Sequence, residues 1–149
     1  AASDALLRLA ALMPDTQTAD GVAFSLRLSH RRTQRLRAAL DHPGADLAQR
    51  PQRYLHYNGA HCVSDQAIMA LADGQISPGE ARLVLAMAAE WVAQHFPLRG
   101  AEMAAAGMPE GPAMGRLLAE LEAWWVTQGF PAKRAVEAEF HRRWTSEKN

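Results

Sequence analysis

The sequence predicts an all-α fold: an irregular helical bundle of about eight helices, with a larger N-terminal bundle and a small C-terminal helical tail. Three observations predict it. The chain has 149 residues and is 48 % hydrophobic, rich in Ala, Leu and Arg and poor in β-branched residues, a composition that favours helix over strand. Apolar residues recur at spacings of three and four along most of its length. Gly and Pro fall between these runs rather than inside them. A chain of this length can bury a core as one compact domain or two small subdomains.

The elements follow in order. Residues 4–13 read as a first helix ending at Met13-Pro14, and 18–26 as a second. Ser29 is placed to cap a third helix, which stops before Pro43-Gly44. Residues 46–58 and 61–73 read as helices closed at Asn58-Gly59 and Asp73-Gly74, with glycine where a left-handed C-cap belongs. Ser77-Pro78-Gly79-Glu80 spells a capping box with Pro at the first helical position. The helix it starts carries Ala81, Val84, Met87, Ala88, Trp91 and Val92 on one face and is expected to run until Phe96-Pro97. Gly100 to Ala106 is one or two turns closed by Gly107. Pro112 opens a helix with Met114, Leu117, Leu118, Leu121, Trp124 and Trp125 on its apolar side, and Gly129 ends it. Pro131 starts the last helix, striped by Val136, Phe140 and Trp144. A soft boundary at Phe96-Pro97 separates a helical body-like region, 1–96, from a helical tail, 97–149, that holds a GxxxGPxxG motif.

Several function classes lack support in the residues. There is no Asp-x-Asp pair for two-metal phosphoryl transfer, no glycine-rich phosphate or dinucleotide loop, no His-Glu-x-x-His pair and no nucleophile elbow. His56 and His61 flank Asn58-Gly59 and stand five apart, the wrong interval for a helical metal pair, so they read as solvated or hydrogen-bonded histidines. Cys62 is the single cysteine; it reads as a small apolar side chain, and the lack of an intrachain disulfide suits a reducing, cytoplasmic setting. No apolar run reaches the roughly 20 residues of a membrane span. "AASDALLRLAALMPD" reads as an amphipathic helix rather than a signal peptide. The missing initiator Met fits a trimmed fragment. No cofactor is expected for this chain itself.

Two surfaces are candidates for binding. Net charge is zero, yet fourteen of the sixteen basic residues are Arg, and five of them lie between Arg27 and Arg37 with no acid among them. On a helix beginning at Ser29, Arg31, Arg32 and Arg35 share one face, opposite Thr33, Leu36 and Leu40. Such a face suits bidentate contacts to phosphate, and it also suits plain solvation. The second surface is "GMPEGPAMGRLL", residues 107–118, where a glycine turn leads into a helix starting Gly-Pro-x-x-Gly. Its first N–H groups have no intrahelical partner, the helix dipole is positive there, and Gly111 and Gly115 carry no side chain to block a phosphate, with Arg116 beside them. The plain alternative is a C-cap at Gly107, an N1 proline and a close helix contact at Gly115. The four tryptophans lie on periodic apolar faces and read as core, with one of the adjacent Trp124 and Trp125 left at the edge.

These residues carry a resemblance. "FPLRGAEMAAAGMPEGPAMGRLLAELEAWWVTQGF", residues 96–130, resembles the C-terminal signature of bacterial tRNA nucleotidyltransferases, the CCA-adding enzymes and their poly(A) polymerase relatives. In that family a short Leu-x-Gly-x-Asp-Leu helix precedes Gly-x-x-x-Gly-Pro-x-x-Gly-x-x-Leu. Leu98, Gly100, Met103, Gly107, Gly111, Pro112, Gly115 and Leu118 fall in register with it. "LRLSHRRTQRL" is similar to a helix start in the family's body region and "RPQRYLHYNGAHCVSDQAIMALA" to its arginine-led, glycine-punctuated helix pair, so the likeness covers roughly residues 20–130. Glu102 and Met103 replace the usual Asp and Leu, and His30-Arg31-Arg32 stands where the family commonly carries an acid. The family's catalytic head and nucleotide-selecting neck are absent.

The resemblance implies a body-and-tail fragment of a larger nucleotidyltransferase, or a stand-alone relative without catalysis. Its partners would be tRNA or another structured RNA and the head and neck of the same parent chain. Mg²⁺ and CTP/ATP would belong to that head. Arg27, Arg31, Arg32 and Arg35 would form one RNA contact zone, and Gly107, Gly111, Gly115 and Arg116 another. The alternative is a helical protein–protein interaction module without RNA binding, with an exposed apolar patch at Trp125 or Phe140.

Overall fold

A computed structural model describes residues 4–147. Among them are nine α-helices and no strand, an all-α bundle. The chain forms two compact units, Ala1–Ala93 and Gln94–Asn149.

The first unit holds α1 (Ala5–Ala10), α2 (Thr16–Ser25), α3 (His30–Leu40), α4 (Ala45–Gln49), α5 (Pro51–Ala72) and α6 (Pro78–Ala89). Local chemistry sets most of their starts. Asp4 caps α1 by accepting from the Leu6 N–H at 2.9 Å, and Asp15 caps α2 by accepting from Thr18 at 2.7 Å. The expected capping box is present at α6: the Glu80 N–H donates to the Ser77 hydroxyl, and the Ser77 N–H donates to the Glu80 carboxylate at 2.7 Å. Ser29 stands at the N-cap position of α3, but its hydroxyl makes no capping bond.

Two expected helices have different bounds. The run expected over 46–58 is broken at Arg50, which adopts φ −134°, ψ 51°, between α4 and α5. Pro51 explains the break: it donates no N–H, and its ring drives the preceding residue out of the helical region. Beyond it α5 continues through Gly59, where φ 79° and ψ 160° put a kink between two helical segments. The helix from Pro78 ends at Ala89, so Trp91 and Val92 are not part of it. Its last turn tightens, with the Glu90 N–H reaching Ala86 and Ala88, and residues 91–99 continue without regular structure. Trp91 still packs against the core, while Val92 is exposed.

Two cores fill this unit. Leu7, Ala10, Ala19, Leu36, Ala39 and Met69 join α1, α2, α3 and α5. Leu47, Leu55, Val63, Ala67, Ala70, Ile76, Ala81, Val84 and Ala88 join α4, α5 and α6. Alanine is prominent in both, which lets the helix backbones approach closely.

The second unit holds α7 (Gly100–Ala105), α8 (Pro112–Thr127) and α9 (Lys133–Glu147) around a bulkier core. Met103, Met114, Leu117, Leu121, Trp125, Val136 and Phe140 are all buried there. Trp125 donates its indole N–H to the Pro131 carbonyl at 2.8 Å, the partner a buried indole needs. Trp124 lies only partly buried at the edge of the same core. Trp125 and Phe140 are 3 % and 2 % exposed, so neither forms the apolar surface patch expected of an interaction module. The exposed large apolar side chains are elsewhere, among them Leu12, Phe24, Leu26 and Leu83.

Candidate nucleic-acid interface

The arginine-rich stretch begins at a strained residue. Arg27 has φ 50°, in the left-handed region, and closes α2: its own N–H reaches the Phe24 carbonyl while the Leu28 N–H reaches Ala23 at 2.9 Å. This is the place in a helix ending where glycine is usually found. Arg31 and Arg32 follow on the first turn of α3, both exposed. Arg27, Arg31 and Arg32 make no ion pair among the described residues.

Arg35 is different. Its Nε donates to Asp65 Oδ2 at 2.5 Å, and its Nη2 donates to Asp65 Oδ1 at 2.9 Å and to Asp4 Oδ2 at 2.6 Å. One guanidinium thus bridges the start of α1, the middle of α3 and the buried side of α5. Asp65 is 3 % exposed, and a carboxylate so buried requires its counter-charge. The bonds to Asp65 raise the Arg35 pKa further, and the Arg35 bond, with the Leu6 N–H, holds the Asp4 carboxyl below its ordinary range. The expected phosphate-contact face therefore loses Arg35, which is bound inside the unit. Arg37 is also paired, to Asp20 at 2.5 Å. Three free arginines remain of the five. Asp65 lies outside the expected site; its sequence signal is slight, an acid between Ser64 and Gln66 just before the apolar run from Ala67 to Ala72.

Near that network, burial and then the Asp65 charge raise the Cys62 thiol above its ordinary pKa, which favours the neutral thiol over a reactive thiolate.

In the second unit the three glycines have three different reasons to be glycine. Gly107 has φ 95° and ends α7, with its N–H on Ala104 and the Met108 N–H on Met103 at 3.1 Å. That is a glycine C-cap, and the local backbone requires it. Gly111, at φ 151° and ψ −172°, occupies a region essentially restricted to glycine and turns the chain into Pro112. Gly115 sits inside α8, exposed, and a Cβ built on it meets nothing within 4 Å. Neither backbone strain nor packing demands glycine there, and the expected close helix contact is absent.

Around Gly115 the chemistry is sparse. No side chain caps α8, and Pro112 supplies no N–H, so the exposed start of α8 presents only the amides that follow it. Arg116 is exposed beside them, and Glu110 is exposed just before the turn. The stretch 107–116 is thus neutral, and what it offers is an uncluttered backbone rather than a strong field.

A feature outside the expected site steadies this unit. Glu102, at the usual Asp position of the resembled motif, accepts from the Arg99 N–H at 2.8 Å and from the Lys133 ammonium, tying the start of α7 to α9. Its three-residue spacing from Arg99 is a capping-box interval.

No protein-family profile, curated protein or solved structure matches this chain. Among the described residues no helix is long and apolar enough to cross a membrane.

Proposed function

We propose that this chain is the tRNA-binding part of a CCA-adding or poly(A)-polymerase-like nucleotidyltransferase, holding the RNA backbone while a catalytic head extends the 3′ end. The observation that carries the reading is Gly115. Glycine inside an exposed helix is about 0.5–1 kcal/mol less favourable than alanine, and no contact among the described residues calls for it. A ligand that must come close to the helix backbone supplies the reason, and a sugar–phosphate strand is such a ligand. The register of Gly107, Gly111, Pro112 and Gly115 with the nucleotidyltransferase signature names the RNA.

In this reading the second unit offers backbone and Arg116 to one stretch of phosphates. Arg27, Arg31 and Arg32 offer free guanidinium groups to another, and Arg35 holds α1, α3 and α5 together beneath them. Recognition is by shape and phosphate, because every tRNA must fit. Nucleotide, Mg²⁺ and bond formation belong to the head, in a cytoplasmic enzyme.

Anisotropy of labelled tRNA tests it at low and moderate salt. Saturable binding is expected in the micromolar range, weakening as salt rises. Gly115→Asp should reduce binding about tenfold without unfolding the chain, since an acid near a helix N-terminus is well tolerated. Arg31→Glu with Arg32→Glu should weaken it comparably. Absence of binding at low salt, or Gly115→Asp binding as well as the parent, removes the reading.

A further inference from the structure

Beside the proposed RNA contact, with which it shares Arg32, we infer that the first unit has a docking pocket for an acidic amphipathic helix of a protein partner. A pocket of about 380 Å³ opens between α1, the α2–α3 connection and α3. Leu6, Leu9, Leu26 and Leu28 form its walls, and Arg32 and Arg35 stand among them. Leu26 is 56 % exposed although it lines a pocket. Leu12, just beyond the end of α1, is 82 % exposed, a second exposed leucine in the same stretch of chain.

The occupant follows from the walls and the charges. Aliphatic walls with no aromatic ring give a nucleobase nothing to stack on. A pocket open to solvent, with an exposed leucine in its wall, suits side chains carried on a larger element better than an enclosed small molecule. Leucine-type side chains spaced by three and four along a helix fill such a surface. The charge is one-sided. Arg32 lines the pocket, is exposed and has no carboxylate partner among the described residues, and no acid occurs from residue 21 to 40. Asp4, the acid at the pocket, is already bound to Arg35. A partner helix bearing Glu or Asp beside its leucines meets the Arg32 guanidinium with complementary charge.

The test uses the whole chain and three labelled synthetic peptides of about 16 residues, long enough to hold a helical turn pattern. One alternates glutamates with leucines at every third or fourth position; in the second serine replaces leucine; in the third lysine replaces glutamate. The Leu/Glu peptide should bind one to one with micromolar Kd, and the other two at least about tenfold more weakly. Leu26→Ser and Arg32→Glu, both at exposed positions, should each weaken the Leu/Glu peptide about tenfold. Failure of that peptide to bind, equal binding of the serine peptide, or indifference to both variants overturns the inference. So does self-association of the chain that excludes the peptide, which would make a second copy the occupant. Arg32 is shared with the proposed RNA contact, so Arg32→Glu should weaken both ligands, whereas Leu26→Ser should weaken the peptide and leave tRNA binding unchanged; that variant separates the two readings.

Discussion

The two units solve the problem of packing short helices in different ways. The first is built on alanine-rich contacts, with a buried carboxylate, Asp65, neutralised by an arginine that also reaches Asp4. The second is built on volume: methionine, leucine, tryptophan and phenylalanine fill the space between α7, α8 and α9. Among its described residues one acid is buried, Glu139, held by Arg142 and Arg143 from the same helix. Small side chains pack closely but specify register weakly. The Arg35 bridge supplies the directional contact that the alanine interfaces lack, whereas large interlocking side chains in the second unit supply it themselves. The same contrast shapes the candidate sites. In the first unit the basic face is partly consumed by the fold, and in the second the glycine-led turn leaves exposed backbone.

Breaking the ion bridge should have the largest effect. Arg35→Met leaves Asp65 buried without its partner and is expected to destabilise the first unit by about 3–5 kcal/mol, read by chemical unfolding followed by circular dichroism. Adding Asp65→Leu should restore much of that loss, because both charges are then gone. If the single variant unfolds no more easily than the parent, the bridge is not what sets the register of α1, α3 and α5.

Acid should discriminate the units next. The Arg142 bond, with Arg143 beside it, lowers the Glu139 carboxyl from 4.5 to about 2. A folded-state pKa below the unfolded one means stability that is complete above about pH 4.5 and is lost as pH falls towards 2. Three of the four tryptophans, Trp124, Trp125 and Trp144, lie in the second unit, so an acid titration followed by tryptophan fluorescence reports chiefly on it. Glu139→Gln should flatten the response in that window and lower stability at neutral pH. An unchanged acid limb would place the acid sensitivity elsewhere.

The smallest effect concerns the RNA side of the contrast. Arg27 carries a left-handed backbone that glycine adopts without strain. Arg27→Gly should therefore raise stability slightly, by about 0.5 kcal/mol after the extra freedom of the unfolded chain is counted. If Arg27 also contacts phosphate, the same variant should weaken tRNA binding, so stability and binding move in opposite directions. Calorimetry and anisotropy on one sample separate the two.

Much of the fold is legible in the order of residues alone. Ser77 with Glu80, Pro112 at the start of α8, and the glycines at 74, 107 and 129 each announce a helix boundary through contacts within four residues. The stripes Met114–Trp125 and Val136–Phe140 announce the core of the second unit through helical spacing. The break at Arg50-Pro51 is equally local and follows from proline chemistry. The end of α6 at Ala89 is not announced, because the apolar spacing continues through Trp91 and Val92 after the helix has stopped.

Capping, propensity and periodicity act over one or two turns, so the all-α class, most helix boundaries and the cluster of arginines from 27 to 37 are written in the chain itself. Which of those arginines are free is not. Arg35 and Arg37 find carboxylates 30 and 17 residues away, and a side chain at Gly115 would meet nothing within 4 Å. A charge's partner depends on which helices are brought together, and that long-range placement is set by tertiary packing rather than by any local run of residues.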